Sequence, residues 1–163
     1  MCIRDRLWGA ENAERLLRFA AAETRPLRRS VLRPHQTEDA LVYLGDDEPT
    51  SGQFGAFLDD RLVGVASVFR QANPLRAQRA PYRLRGLATT PEVRGRGIGS
   101  LLLVAALDFA AVGGGSHMWC HARVPAASFY RRHGFRAEGE AFEIQDIGPH
   151  LHMERPLGVV QSG

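Results

Sequence analysis

The sequence predicts an α/β fold from three features that follow one another along the chain. Residues 82–90 form a strand-like run that ends before Pro91, a residue that cannot continue a ladder of strand hydrogen bonds. A strongly apolar helix is expected to begin at about Ile98, where apolar residues start to recur at intervals of three and four positions. Between them, residues 94–100 are rich in glycine and arginine. A strand that passes through such a turn into an amphipathic helix is typical of α/β proteins.

A short helix and an acidic loop are expected ahead of this junction. Residues 24–31 place their apolar side chains on one face, and Pro34 closes the helix that they predict. Residues 35–51 contain five acidic side chains together with glycine and proline, which favours a loop. We interpret it either as a solvated acidic loop or as a negatively charged segment that attracts a cationic amine acceptor.

A β-hairpin is expected next. Residues 53–58 and 61–69 are rich in apolar and β-branched side chains and flank the pair Asp59-Asp60. A polar connection, residues 71–81, then leads to the strand at 82–90.

The helix predicted at residues 98–112 ends at the glycine run 113–115. The residues expected on its core face are Leu101, Leu102, Ala105, Ala106, Phe109 and Val112. After it we expect a strand at 117–121, a helix at 125–133 that Gly134 stops, and strands from Phe135 to about Arg155.

The glycine-rich segment has the chemistry of an anion site. Gly95, Gly97 and Gly99 permit backbone geometries that other residues resist, and they let a ligand approach the main chain closely. The first N–H groups of the following helix lack carbonyl partners and lie at the positive end of its dipole, which suits phosphate. An ordinary loop is the structural alternative. The dinucleotide fingerprint has a different glycine spacing, and the other phosphate loop needs a lysine, which this chain lacks.

The order Arg-x-x-Gly-x-Gly from Arg94 to Gly99 resembles the pyrophosphate-binding motif of the GNAT N-acetyltransferase superfamily, which binds acetyl-coenzyme A. Residues 82–90 look like the family's central strand, and residues 126–135 look like its second motif. The resemblance implies an α/β GNAT fold, with a mixed, strongly bent sheet of about six to seven strands flanked by about four helices. It also favours a first strand near residues 15–20.

The resemblance implies an acyl-CoA-dependent N-acetyltransferase that transfers an acetyl group from acetyl-CoA to an amine acceptor by direct attack on the thioester. The alternative is a non-catalytic domain that binds acyl-CoA and regulates or scaffolds a partner. The resemblance also places the coenzyme contacts. In order along the chain these are Leu87, Ala88, Thr89, Arg94, Gly95, Arg96, Gly97, Ile98, Gly99, Ser100 and Arg123. Arg123 stands where many members have an asparagine that binds the pantetheine arm.

Three side chains are candidates for catalysis. Tyr130 stands where many family members carry the tyrosine that acts as general acid toward the leaving thiolate, although a tyrosine packed in a core is the alternative. His150 shares one face of a predicted strand with His152 and is a candidate base, with Glu92 and Glu143 as weaker ones. His121 is expected to orient acceptor or coenzyme, and a structural histidine is the alternative.

No metal is expected. His150 and His152, with Cys120 or His121, match no strong pattern of ligand spacing.

Composition limits the other classes of partner. The net charge is +3, and the basic residues, all arginine, are interleaved with acids, so nucleic acid is not an indicated partner. The longest apolar stretch is shorter than the roughly 18 residues that a membrane span requires. A cytoplasmic protein without a membrane partner is expected. The sequence allows a homodimer but does not fix the oligomeric state.

The expected domain organisation is a tail at residues 1–6, one acetyltransferase domain at 7–156 and a C-terminal tail at 157–163. The first five residues can be encoded by a string that occurs in a transposase adaptor for sequencing libraries, and we interpret the first tail as derived from such an adaptor.

Overall fold

The computed structural model describes residues 6–7, 14–18, 25–32, 41–43 and 45–158, and for residues 6–7 and 14–18 it describes the backbone. The chain divides into two compact units. The first consists of Met1–Phe69 and Leu84–Phe109, and the second of Arg70–Arg83 and Ala110–Gly163. Two strands and one helix contribute residues to both units. The predicted single domain at residues 7–156 stays a prediction.

Strands dominate the first unit. Their bounds are β1 Arg6–Leu7, β2 Glu14–Arg18, β3 Gly52–Leu58, β4 Arg61–Arg70 and β5 Pro81–Thr89. The strands lie side by side in this order, and each of the first three is antiparallel to the next. The strand predicted near residues 15–20 is therefore confirmed as β2.

The predicted hairpin is confirmed as β3 and β4. Leu58 and Arg61 are paired neighbours, so the connection has two residues. These residues, Asp59 and Asp60, have φ values of 48° and 63°. Positive φ at both central positions is the geometry of the type I′ turn, whose twist matches that of the flanking strands.

Three α-helices occur in the described ranges, against about four predicted. α1 is Arg25–Leu27 and continues as a π-helical turn, Arg28–Leu32. α2 is Ile98–Val112, and α3 is Ala127–Arg132, which follows a 3-10 turn at Val124–Ala126. None of these helices has the length and apolar character needed to cross a membrane.

Helix α2 packs directly on β4, and Gly64 permits the contact. A Cβ atom at Gly64 would lie 2.8 Å from Cδ1 of Leu102 and 3.3 Å from Cγ2 of Ile98. A side chain at Gly64 would make Leu102 and Ile98 shift, so the start of α2 lies close to the backbone of β4. This contact fixes the helix end that follows the glycine-rich segment.

The buried face of α2 differs from the predicted one. Leu102 and Ala106 are buried as expected, but Val112 is 77% exposed. The other fully buried helix residues are Ile98, Leu103 and Ala110. Since almost every position of this helix is apolar, the sequence spacing could not identify the side that faces the sheet.

The second unit contains the remaining strands. β6 is His117–Arg123, β7 is Arg136–Ile144 and β8 is Gly148–Pro156. The first three residues of β5 run parallel to the start of β6, and the strand order continues as β6, β8, β7 with antiparallel pairing. Parallel and antiparallel pairs, together with the helices, confirm a mixed α/β fold. The sheet of the described residues has eight strands, against six to seven predicted.

The described part of the acidic loop is only partly solvated. Asp47 and Glu48 are exposed, as a solvated loop predicts, whereas Tyr43 and Asp46 are buried. For Asp46 the interpretation as a solvated charge or as an attractant for an amine is wrong, because its carboxylate is bound to a buried arginine, Arg28. Glu38 and Asp39 lie outside the described residues.

Little of the predicted tails falls in the described ranges. Arg6 pairs with Leu16 as the first residue of β1. At the other end, the amide of Leu157 donates to the carbonyl of Ser116 at 2.9 Å.

Candidate functional site

The segment between β5 and α2 is held on its upstream side by backbone hydrogen bonds. Thr90 N–H donates to the carbonyl of Val63 at 2.8 Å, which ties the end of β5 to β4. A 3-10 turn, Pro91–Val93, follows. The amides of Arg94 and Arg96 donate to the carbonyls at the two ends of this turn, each at 3.3 Å. The chain therefore enters the glycine-rich segment from a fixed position.

Gly95 and Gly97 are glycines because of their backbone conformation. Both have a φ of +80°, which other L-residues adopt only with strain. A Cβ atom at either position would have no neighbour within 4 Å, and residues 94–97 are exposed. Packing does not require these glycines, and the space above the loop backbone is open to a ligand.

The loop leads into the N-terminus of α2. The amide of Leu101 donates to the carbonyl of Gly97 at 3.1 Å, which begins the helical ladder. The amides of Ile98 and Gly99 precede that bond, as in any first helical turn. The first turn contains no acidic residue, and Ile98 is buried as its anchor. Backbone donors, the positive end of the helix dipole and the exposed Arg94 and Arg96 together favour an anion.

The last residues of β5 depart from regular strand geometry. Gly86 has a φ of +68° and a Cβ atom there would lie 3.0 Å from the Tyr43 ring. Beyond it, Ala88 is buried while Leu87 and Thr89 are half-buried. Their expected backbone contacts to a pantetheine arm stay a prediction.

Tyr130 lies on α3 and is 8% exposed. Its ring meets the rings of Phe129 and Phe135 edge-on, with centroids 5.2 and 5.4 Å away. Burial, and secondarily the thiol of Cys120, raises the pKa of Tyr130 well above its usual 10. The phenol therefore keeps its proton at neutral pH, so it is suited to donate a hydrogen bond and unsuited to act as a base.

Cys120 is a buried, protonated thiol. Burial raises its pKa to about 12, although the charge of Arg83 acts in the opposite direction. Because side chains alternate along a strand, Cys120 and His121 lie on opposite faces of β6.

His121 belongs to an aromatic cluster on its face. Its ring lies 5.3 Å from the Trp119 ring, 5.5 Å from the His152 ring and 5.0 Å from the Phe142 ring. His152 in turn stacks on Trp119 with an interplanar angle of 19°. The structure thus brings together His121 and His152, and it places Cys120, the neighbour of Tyr130, on the other face.

His152 is paired with Glu154. Its Nε2 lies 3.1 Å from Oε2 of that carboxylate, which also accepts a 2.7 Å hydrogen bond from Asn73. Burial alone would raise the pKa of Glu154, but the bonds from Asn73 and His152 and the charge of Arg76 outweigh it and lower the pKa. Because the ionised carboxylate accepts a hydrogen bond, Nε2 of His152 carries a hydrogen and donates it. The buried Nδ1 of His152 has no hydrogen-bond partner among the described residues.

His150 is buried, and its Nδ1 lies 2.8 Å from the carbonyl of Gly148. Since a carbonyl can only accept, Nδ1 carries the hydrogen and donates it. Its register partner on β6 is Arg123, which is half-buried. The catalytic roles of His150 and His121 and the coenzyme contact of Arg123 stay predictions.

No three His, Cys, Asp or Glu side chains in the described part of the chain are grouped so that they could hold a metal ion.

Sequence reasoning missed the polar groups buried around these strands. His150, His152 and Glu154 stand at every second position of β8 and therefore share one face of the strand. This spacing is a sequence signal that could have identified the pair of His152 and Glu154. No sequence pattern indicates the buried pair of Arg28 and Asp46, because its two residues belong to separate elements of the fold.

A mixed α/β fold in which a strand leads through a positive-φ glycine loop to a helix N-terminus is the architecture that the resemblance to coenzyme A-dependent acyltransferases predicts. The chain belongs to the Acetyltransferase (GNAT) family, whose model matches residues 13–135.

Known proteins similar to this chain agree with that assignment. An uncharacterized N-acetyltransferase of Bacillus subtilis, YitI, is 36% identical over 139 residues, which cover 85% of this chain and 93% of the relative. The crystal structure of a putative N-acetyltransferase from Lactobacillus plantarum has a TM-score of 0.71 and 23% identity, with 90% of this chain and 99% of that chain covered. An aminoglycoside 6'-N-acetyltransferase, crystallised with coenzyme A, has a TM-score of 0.56 and 16% identity, with 68% and 74% covered. At these identities the two solved structures show a shared fold.

Proposed function

We propose that this protein transfers an acetyl group from acetyl-CoA to an amine acceptor by direct attack of the amine on the thioester. The observation that carries the proposal is the loop of Gly95 and Gly97, which is open above its backbone and leads into the N-terminus of α2. This geometry supports binding of a pyrophosphate by residues 94–100. Acceptor and acyl specificity are part of the proposal.

The reaction requires a nucleophile, an oxyanion site and a donor at the leaving group. The neutral amine forms a C–N bond with the thioester carbon, and the carbonyl electrons move to oxygen. Backbone N–H groups of Leu87–Thr89, by resemblance, stabilise this oxyanion. The C–S bond then breaks, and the thiolate takes a proton.

Tyr130 is the proposed donor to the leaving sulfur. Its raised pKa keeps the phenol protonated throughout the neutral range, so the donor is present in every turnover. An alkyl ammonium with a pKa of ~10.4 must lose one proton before it can attack, and His121, His150 or water accepts it. After the C–N bond forms, the nitrogen loses a second proton to one of the same acceptors, and Tyr130 regains from solvent the proton that it gives to the thiolate.

The first test is coenzyme A release from acetyl-CoA in the presence of a panel of amines, peptides and aminoglycosides. Tyr130→Phe should lower kcat about 100-fold, with acetyl-CoA affinity within about twofold, since general acid catalysis contributes ~100- to 10,000-fold. Tyr82→Phe, which removes the hydroxyl of another buried tyrosine in the same unit, is the matched control.

Equal turnover by Tyr130→Phe and the unchanged protein would remove the tyrosine from the mechanism. Tight acetyl-CoA binding without release for any acceptor would instead favour the alternative of a non-catalytic acyl-CoA-binding domain.

A further inference from the structure

Arg85 is a half-buried cation on β5. Its guanidinium carbon lies 3.9 Å from the centroid of the Tyr43 ring. Burial lowers the pKa of Arg85, although the guanidinium keeps its charge at neutral pH. Among the described residues, no carboxylate lies within ion-pair distance of it. The cost of burying this charge is therefore not offset by an ion pair in that part of the chain.

Among the described residues, the buried carboxylate near Arg85 is that of Asp46, and its oxygens accept hydrogen bonds from other groups. Asp46 accepts two hydrogen bonds of 2.9 Å from the two terminal nitrogens of Arg28, which is 0% exposed. It also accepts a 2.8 Å bond from the amide of Tyr43 and a 3.4 Å bond from Gln53. Asp46 therefore spends its hydrogen bonds on Arg28, Tyr43 and Gln53, and toward Arg85 it contributes only the attraction of its charge.

Tyr43 holds the two arginines apart. The Arg28 guanidinium carbon lies 3.8 Å from the same ring centroid as that of Arg85. One face of a phenol ring has room for one guanidinium at such a distance, so the two lie on opposite faces. Two guanidinium groups and one carboxylate leave this cluster with an excess positive charge.

A third arginine strengthens the positive charge. Arg25, at the start of α1, is close enough for its charge to lower the pKa of Asp46. Its Nε is buried and has no hydrogen-bond partner among the described residues. The region thus carries positive charge and unused donor capacity together.

We propose that Arg85, stacked on Tyr43, binds an anionic oxygen group, a carboxylate or a phosphate, that the amine acceptor carries. This inference rests on the proposed function. A guanidinium presents a planar fork that can donate two parallel hydrogen bonds to such a group. Stacking on Tyr43 fixes the plane of the fork before the ligand arrives, which lowers the entropy lost on binding.

The position of Arg85 separates this anion from the coenzyme pyrophosphate. Gly86, whose φ of +68° interrupts the strand, follows Arg85 directly. Leu87, Ala88 and Thr89, the residues expected to bind the pantetheine arm, then come before the glycine loop. We therefore assign an anion at Arg85 to a second ligand and not to the pyrophosphate.

The experiment compares acceptors in matched pairs that differ in one anionic group. The pairs are glycine and glycinamide, L-leucine and L-leucinamide, and phosphoethanolamine and ethanolamine. In the unchanged protein we expect the anionic member of one pair to have a kcat/KM about 10- to 100-fold higher than its neutral partner. The amino-acid pairs report a carboxylate, and the ethanolamine pair reports a phosphate.

Three variants test whether Arg85 causes the preference for anionic acceptors. Arg85→Gln should reduce the preference to near unity by lowering kcat/KM for the anionic acceptor alone, while acetyl-CoA affinity stays unchanged. Arg85→Lys should recover part of it, because the charge remains and the fork is lost. Arg79→Gln, at an exposed arginine of the other unit, makes the same change in net charge and should keep the full preference.

A second readout does not depend on turnover. Calorimetric titration of the N-acetyl products in the presence of coenzyme A should show the same preference for anionic over amidated products. The inference is overturned if Arg85→Gln keeps the preference for anionic acceptors. It is also overturned if the unchanged protein shows no such preference in either turnover or product binding. Turnover of neutral amines with no such preference would leave the proposed function standing. Failure to bind acetyl-CoA would overturn both.

Discussion

Gly114 is a control position for Gly97. Comparing substitutions at the two glycines distinguishes the effect of backbone strain from an effect on ligand binding. The φ of +80° at Gly97 is matched by the φ of +81° at Gly114, which follows α2. A Cβ atom at either glycine would have no neighbour within 4 Å. An alanine at either position thus introduces the same local strain and no clash within the protein.

We expect Gly97→Ala and Gly114→Ala to lose similar stability, about 1–2 kcal/mol each, from the left-handed conformation. Only Gly97→Ala should weaken acetyl-CoA binding, by about tenfold or more, because its methyl group enters the space that the loop leaves for a phosphate. Urea denaturation measures the first effect and isothermal titration the second. Equal acetyl-CoA affinity in the two variants would argue against a phosphate above Gly97.

Single residues also show where sequence reasoning ends. The glycine loop could be predicted because its chemistry is contiguous, from Arg94 to Ser100, and its conformation depends on residue type. Asp46 could not be interpreted correctly, since its partner Arg28 is 18 positions away and their hydrogen bonds form only in the fold.

The loop that contains Tyr43 and Asp46 is an element held by one buried ion pair. Besides Asp46, Arg28 donates to the carbonyl of Leu41 at 2.8 Å and to the hydroxyl of Ser67 at 2.7 Å. One side chain thus connects the π-helical turn after α1, the loop and β4. Removing its counter-charge leaves a buried cation without compensation.

Asp46→Asn should lower the free energy of unfolding at pH 7 by about 3–5 kcal/mol, the cost of breaking a buried pair. The neighbouring exposed acid gives the control, since Asp47→Asn should change stability by less than about 0.5 kcal/mol. Urea denaturation of both variants makes the comparison. Equal stability in the two would show that the pair does not hold the loop.

The pH dependence of this contribution follows from the pKa of Asp46. Burial would raise that pKa, but the hydrogen bonds from Arg28 and Tyr43 and the charges of Arg28 and Arg25 outweigh it and hold the pKa below its usual 3.8. A carboxyl with a lowered folded-state pKa contributes stability above its unfolded-state pKa, and this is lost as the pH falls through the folded-state value. The stability difference between the unchanged protein and Asp46→Asn should therefore persist down to about pH 4 and shrink below it.

Helix α2 shows what the sequence can and cannot predict about a secondary-structure element. Its bounds, Ile98–Val112, follow the sequence signals closely, because the glycines on both sides stop the helix. Its buried side depends on Gly64 of β4, where the absence of a side chain lets Ile98 and Leu102 approach the backbone. A hydrophobic pattern within the helix contains no information about that glycine.

For the whole molecule, the sequence did not predict the order of the strands. Local patterns identify a hairpin such as β3 and β4, but they do not specify that β8 lies between β6 and β7. Such pairings join strands that are distant in sequence, and side-chain periodicity is the same for every order.

Binding of acetyl-CoA should stabilise the whole molecule. At a ligand concentration of 100 Kd the expected gain is about 2.7 kcal/mol, or roughly 5–10 °C in Tm for a chain of this size. Differential scanning calorimetry checks it, with ATP as the control ligand and Gly97→Ala as the control variant. An equal shift with ATP would favour a nucleotide site.

Cys120 also has a practical value for the experimenter. Its thiol is buried and has a pKa of about 12, so the nucleophilic thiolate is scarce and shielded at neutral pH. The chain has two cysteines, and replacing Cys2 by serine leaves Cys120 as its sole thiol. A thiol-reactive dye would then count released coenzyme A against a blank background in the native enzyme. Added with denaturant, the same dye would label one site per chain and so report the fraction of molecules that have opened.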